Sequence, residues 1–127
     1  MMMRGIRGAT TVDENTQRAV LAATRELLCE IVDRNTIEIE QIAAVFFTTT
    51  PDVTAEFPAV GARQLGWHNV PLICGHEMNV PGALPGCIRV LVLVNTEKAQ
   101  HEIEHVYLRG AVNLRAATPP IEEERGD

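Results

Sequence analysis

The run Cys87-Ile88-Arg89-Val90-Leu91-Val92-Leu93-Val94 is apolar at both odd and even positions, apart from one arginine. Strand side chains alternate between faces, so this pattern predicts a strand buried on both faces with Arg89 inside it. Arginine cannot shed its proton, and a buried unpaired guanidinium is costly. The fold must therefore supply a carboxylate, or keep the place open for a ligand's negative charge. Residues 3–10 alternate as a short strand, which sets Arg4 and Arg7 on opposite faces, so only one of them can look into a site. Asp13 and Asn15 offer helix N-caps, and Val20, Ala23, Leu27, Leu28, Ile31 and Val32 recur at helical spacing until Asn35 ends the pattern. That predicts one long amphipathic helix with Arg18, Arg25, Glu26, Glu30 and Arg34 mostly on its wet side. Residues 42–48 predict a second buried strand, and Pro58 opens a short helix through Ala62 and Arg63 to Gly66. Residues 70–74 predict a third strand, with Pro71 placing it near an edge or at a strand start, and Val106 begins the last one. The Pro- and Gly-rich residues 75–86 read as a loop. The sum is an α/β (α+β) fold, a mixed sheet of about five strands with one long and one short helix. Residues 1–117 form a single domain in this reading, and 118–127 a flexible acidic tail.

At 127 residues, 46% hydrophobic but only 4% aromatic, the chain has an aliphatic core. Its net charge of −6 argues against a nucleic-acid partner, since phosphate binding needs a basic surface. Glu122, Glu123, Glu124, Arg125 and Asp127 carry a net −3 of that total, so the rest can still hold a local arginine cluster. Three cysteines without regular spacing, Cys29, Cys74 and Cys87, argue against a disulfide framework and fit a reducing cytoplasm. No signal-like apolar region follows Arg4 and Arg7, and no stretch approaches membrane-spanning length.

His101-Glu102-Ile103-Glu104-His105 matches the H-E-x-x-H zinc pattern, which needs both histidines on one helical face. Strand pattern resumes at once in Val106-Tyr107-Leu108 and no third ligand follows outside the tail, so the segment reads as a polar turn, with no metal expected. Cys74 with His76 could form a nucleophile pair, but no third group orients it. Arg7, Arg63, Arg89 and Arg115, with Glu77, Cys74 and Tyr107 at strand ends and loops, differ in kind: cations without a base beside a nucleophile. Each alone has an ordinary structural reading, and for Arg89 it is an internal ion pair with Glu77 or Asp52. Together they suit a small polyanion held by guanidinium forks.

Arg4-Gly5-Ile6-Arg7-Gly8-Ala9-Thr10-Thr11-Val12, Thr50-Pro51-Asp52 leading to Phe57-Pro58-Ala59, Val70-Pro71 to Cys74 with Glu77-Met78, Cys87-Ile88-Arg89-Val90, and His105-Val106-Tyr107-Leu108 with Ala111-Val112-Asn113-Leu114-Arg115 occur in this order. In that order and register they resemble the small monofunctional AroH-type chorismate mutases. The resemblance implies conversion of chorismate to prephenate without a cofactor, by a homotrimer whose sheets form a pseudo-α/β-barrel and whose sites lie at subunit clefts. It implies that Arg7 and Tyr107 hold a carboxylate, that Arg89 meets the ether oxygen, and that Glu77 and Cys74 sit near the ring hydroxyl. Phe57, Ala59 and Arg63 match the wall given by a neighbouring subunit, Ile73 joins the substrate-binding set, and Leu114 and Arg115 match a segment that closes over substrate. Many members carry Lys where this chain has Val60, which implies a weaker electropositive rim. The stretch around Leu65-Gly66-Trp67 is one residue shorter than in some relatives, so Cys74 and Glu77 are assigned by their local motif.

A pericyclic shift makes a C–C bond while breaking a C–O bond, with no proton transferred, so the lack of a base–nucleophile pair agrees with this implication. The tasks left are to hold a compact conformer and to meet charge growing on the ether oxygen. A non-catalytic trimer binding small carboxylates is the alternative; the imine-deaminase family shares the fold but its motifs are missing. An Arg89 already neutralised by one of the chain's own acids, or turned out into bulk solvent, would defeat the isomerase mechanism.

Overall fold

The computed structural model describes residues 1–114 and 119–122. Strand β1 (Met2–Thr11) leads to helix α1 (Gln17–Asn35), strand β2 (Ile42–Thr49), helix α2 (Pro58–Gln64), and strands β3 (Leu72–His76), β4 (Cys87–Thr96) and β5 (Val106–Tyr107). The five strands lie in the order β3-β2-β4-β1-β5. β4 runs antiparallel to both of its neighbours, while β3 on β2 and β5 on β1 are parallel, so the sheet is mixed as expected. β3 is an edge strand and starts just after Pro71, whose missing N–H is harmless there.

Both helices cover one face of the sheet. Leu27, Leu28 and Ile31 of α1 and Ala59 and Ala62 of α2 meet Ile6, Val45, Phe47, Val90, Val92 and Val94 in one aliphatic core. α1 lies close on β1 because residue 8 is glycine: a Cβ there would come within 2.8 Å of Ile31 Cδ1 and 3.0 Å of Val90 Cγ1. The residue beside Arg7 is thus tied to helix packing.

The start of α1 corrects the expected caps. Thr16 is the N-cap, its Oγ1 accepting the Ala19 N–H at 3.1 Å. Asn15 instead accepts the backbone N–H groups of Thr54 and Ala55, each at 2.9 Å, and its amide donates to Thr54 Oγ1 at 2.8 Å. It pins the chain that leads to Phe57. At the other end Thr36 takes the left-handed conformation, with φ 50°, and closes the helix.

A second correction concerns β4. Ile88, Val90, Val92 and Val94 are buried under the helices, but Arg89, Leu91, Leu93 and Asn95 face the other way and nothing among the described residues covers them fully. Leu91 is 38% exposed, and Phe46 beside it on β2 is 44% exposed. The strand is therefore buried on one face, and the open face of the sheet is apolar.

Candidate active site

Strand register assembles a polar cleft on that open face. Arg89 stands opposite Thr48 of β2 and Ala9 of β1, Arg7 stands opposite Leu91, and Tyr107 pairs with Ala9. Arg7, Thr48, Glu77, Arg89, Leu91 and Tyr107 line a cleft of about 390 Å³, a size suited to a small molecule. Glu77 reaches it from the loop after β3. Its N–H donates to Thr49 O at 2.7 Å, and its Oε1 accepts the Thr48 hydroxyl and lies 3.4 Å from Arg89 Nη1.

Arg89 therefore stands between the two possibilities its sequence context opened. It is half-buried, with the side chain 41% exposed, so it is not locked in the interior. It has an acidic partner, but the closest contact is long and goes to a carboxylate already engaged by Thr48, and a partly exposed pair of this kind contributes only about 0–1 kcal/mol. Asp52, the other candidate partner, is engaged elsewhere: its Oδ2 accepts the Gly86 N–H at 2.8 Å. The Thr50 hydroxyl is the main cause holding the Asp52 carboxyl below its ordinary pKa.

Arg7 is fixed by its backbone, whose N–H donates to His105 Nδ1 at 2.9 Å. Its Nε is buried and has no hydrogen-bond partner among the described residues. A buried charged donor left so calls for an acceptor from outside. Leu114 packs beside Tyr107 against Ala9, Cys87 and Ala111, next to the cleft. Arg115 lies outside the described residues.

The other sequence candidates sit elsewhere. Cys74 pairs in register with the buried Phe47 and so points to the helix-covered side, where it lines a second cleft of about 320 Å³ with Phe57, Pro58 and His76. Ala59 is buried and Arg63 exposed on α2, and Phe57 is 66% exposed at the helix entry. Ile73, one residue from Cys74, is on the open face and 58% exposed. One chain thus gathers Arg7, Glu77, Arg89, Tyr107 and Leu114 but leaves Phe57, Ala59, Arg63 and Cys74 apart from them.

Neither non-ligand motif is assembled for other chemistry. Residues Gln100–Glu102 form a single 3₁₀ turn and His105 precedes β5, so the two histidines of the H-E-x-x-H match share no helical face. Burial raises the Cys74 thiol and pushes that of Cys87 up to about 11, which disfavours the thiolate a nucleophile needs. Cys29, by contrast, is exposed. At pH 8 a thiol reagent accordingly labels Cys29 first and Cys87 only on unfolding. Mass mapping of labelled peptides checks this, and early modification of Cys87 would contradict it.

The family model for chorismate mutase type I matches residues 3–118. The chain belongs to that family. A chorismate mutase AroH of Thermus thermophilus is 55% identical over 115 residues, covering 90% of this chain and 94% of that protein. The chorismate mutase AroH of Bacillus subtilis strain 168 is 46% identical over 116 residues, covering 91% of each. The solved chorismate mutase of Clostridium thermocellum superposes with a TM-score of 0.83 at 48% identity, covering 84% of this chain and 96% of that one. Two polar contacts that set the cleft's geometry carry no signal of their own in the sequence. Thr48, a hydroxyl in a strand, was legible only through its register with Arg89, and His105 only through its bond to Arg7.

Proposed function

We infer that this chain is a chorismate mutase, an isomerase converting chorismate to prephenate on the route to phenylalanine and tyrosine. The observation that carries the mechanism is the charge in the open-face cleft: two guanidiniums, Arg7 and Arg89, face one carboxylate, Glu77, and the buried Arg7 Nε is left without an acceptor among the described residues. A dianion whose ether oxygen gains negative charge in the transition state suits that imbalance. In this reading Arg7 and Tyr107 hold a carboxylate, Arg89 meets the ether oxygen, and Glu77 takes the ring hydroxyl. The C–O bond breaks as the C–C bond forms, so no acid, base or cofactor is asked of the site. Orientation and preorganised charge supply the rate.

The same reading makes the protein a homotrimer. The apolar open face around Phe46 and Leu91 and the placement of Phe57, Ala59, Arg63 and Cys74 away from Arg7 and Arg89 both support a cleft completed by a neighbouring copy. Leu114 and Arg115 then close over the occupant. A cytoplasmic setting fits the three free thiols; no helix among the described residues is long and apolar enough to cross a membrane.

The test follows chorismate's diene absorbance with purified protein while sedimentation gives the subunit number. Accelerated loss is expected. Binding without acceleration would support instead a small-carboxylate carrier on the same arginines.

A further inference from the structure

We propose that Thr48 is a positioning residue: its hydroxyl holds the Glu77 carboxylate off Arg89 and so keeps the guanidinium available to the substrate. The proposal rests on the roles given to Arg89 and Glu77 above, and adds what sets the distance between them.

A carboxylate and a guanidinium side by side ordinarily close into a two-pronged fork with N–H···O distances of about 2.7–2.9 Å. Here the closest approach is Nη1 to Oε1 at 3.4 Å, beyond ordinary hydrogen-bond length. Two restraints account for the gap. The backbone of Glu77 is clamped by its N–H bond to Thr49 O at 2.7 Å. The oxygen nearest Arg89, Oε1, is the one that accepts the Thr48 hydroxyl. Thr48 stands directly opposite Arg89 in the β2–β4 register, on the same face, and a β-branched side chain in a strand has few rotamers. The position of its Oγ1 is therefore set by the sheet. Without it, Glu77 can turn to Arg89 and neutralise it.

The assay compares T48V, which keeps the shape and loses the hydroxyl, and T48S, which keeps the hydroxyl. Each is made alone and with E77Q, alongside wild type and R89A. T48V is expected to lower kcat about tenfold or more, the scale of a lost charge-assisted hydrogen bond, with a smaller change in KM. T48S should remain within about threefold of wild type, because the same bond persists. In the E77Q background the T48V loss should largely vanish, since a neutral amide cannot cancel Arg89's charge. If T48V fails to fold, T48A is judged by the same criteria.

The proposal is overturned if T48V turns over like wild type, if T48S is as impaired as T48V, or if the loss is unchanged with E77Q. Failure of the underlying reading looks different. There, wild type does not rearrange chorismate, or R89A rearranges it normally.

Discussion

Arg89→Ala lowers kcat for the chorismate rearrangement by about a hundredfold to a thousandfold, the cost of one preorganised donor at a developing oxyanion. Three features set the expectation. Residue 89 is carried by β4, paired on both sides, so the base of its side chain is fixed before a ligand arrives. Its closest contact to an acid among the described residues, Glu77, is long, so its donors remain largely available to the occupant. Finally, removing it leaves Glu77 as an uncompensated negative charge facing a dianion. Stability should barely change, by no more than about 1 kcal/mol, because a half-exposed side chain in a loose ion pair is lost. Arg89→Lys should fall between, keeping the charge without the planar fork. Steady-state rates and urea melts on the same preparations check both halves, and normal turnover by the alanine variant would leave Arg89 a structural role only.

Asn35→Leu destabilises the fold by about 2–4 kcal/mol, from three backbone groups losing a partner. Asn35 is fully buried at the end of α1. Its amide donates to Ile31 O at 3.0 Å and Glu104 O at 2.9 Å, while its Oδ1 accepts the Glu104 N–H at 2.8 Å. Leucine of similar volume fills the space and satisfies none of these. The damage also travels to the cleft, because residues 104–107 carry the His105 that accepts from Arg7 and the Tyr107 beside it. KM should therefore rise even where the variant is folded. The denaturation midpoint, measured at matched protein concentration, checks the first part; a shift below about 0.5 kcal/mol would contradict it.

Element identity was legible because helical and strand periods differ. α1 ended at Asn35 as its pattern did, and β3 fell at an edge as Pro71 required. What misled was the doubly apolar run of β4. Apolar residues on both parities do not say that one chain provides both layers, and Leu91 and Phe46 stay partly exposed; in the trimer proposed above a neighbouring copy would cover them. The caps were misassigned because Asn15 and Thr16 are both good candidates, and the contact with Thr54 and Ala55 that engages Asn15 is tertiary. At the cleft, arginine spacing indicated an anion site. The Thr48 and His105 bonds that set its geometry depend on register across strands far apart in sequence, which no local pattern encodes.

The sheet sets Arg89 on one surface and Cys74 on the reverse, so in the trimer proposed above lesions on the two sides would fall in separate half-sites. In an assembly whose clefts combine halves from different copies, an R89A chain and a chain damaged near Phe57 and Arg63 are each inactive alone. Co-expressed, they rebuild some intact clefts, so that two dead alleles restore growth without added aromatic amino acids.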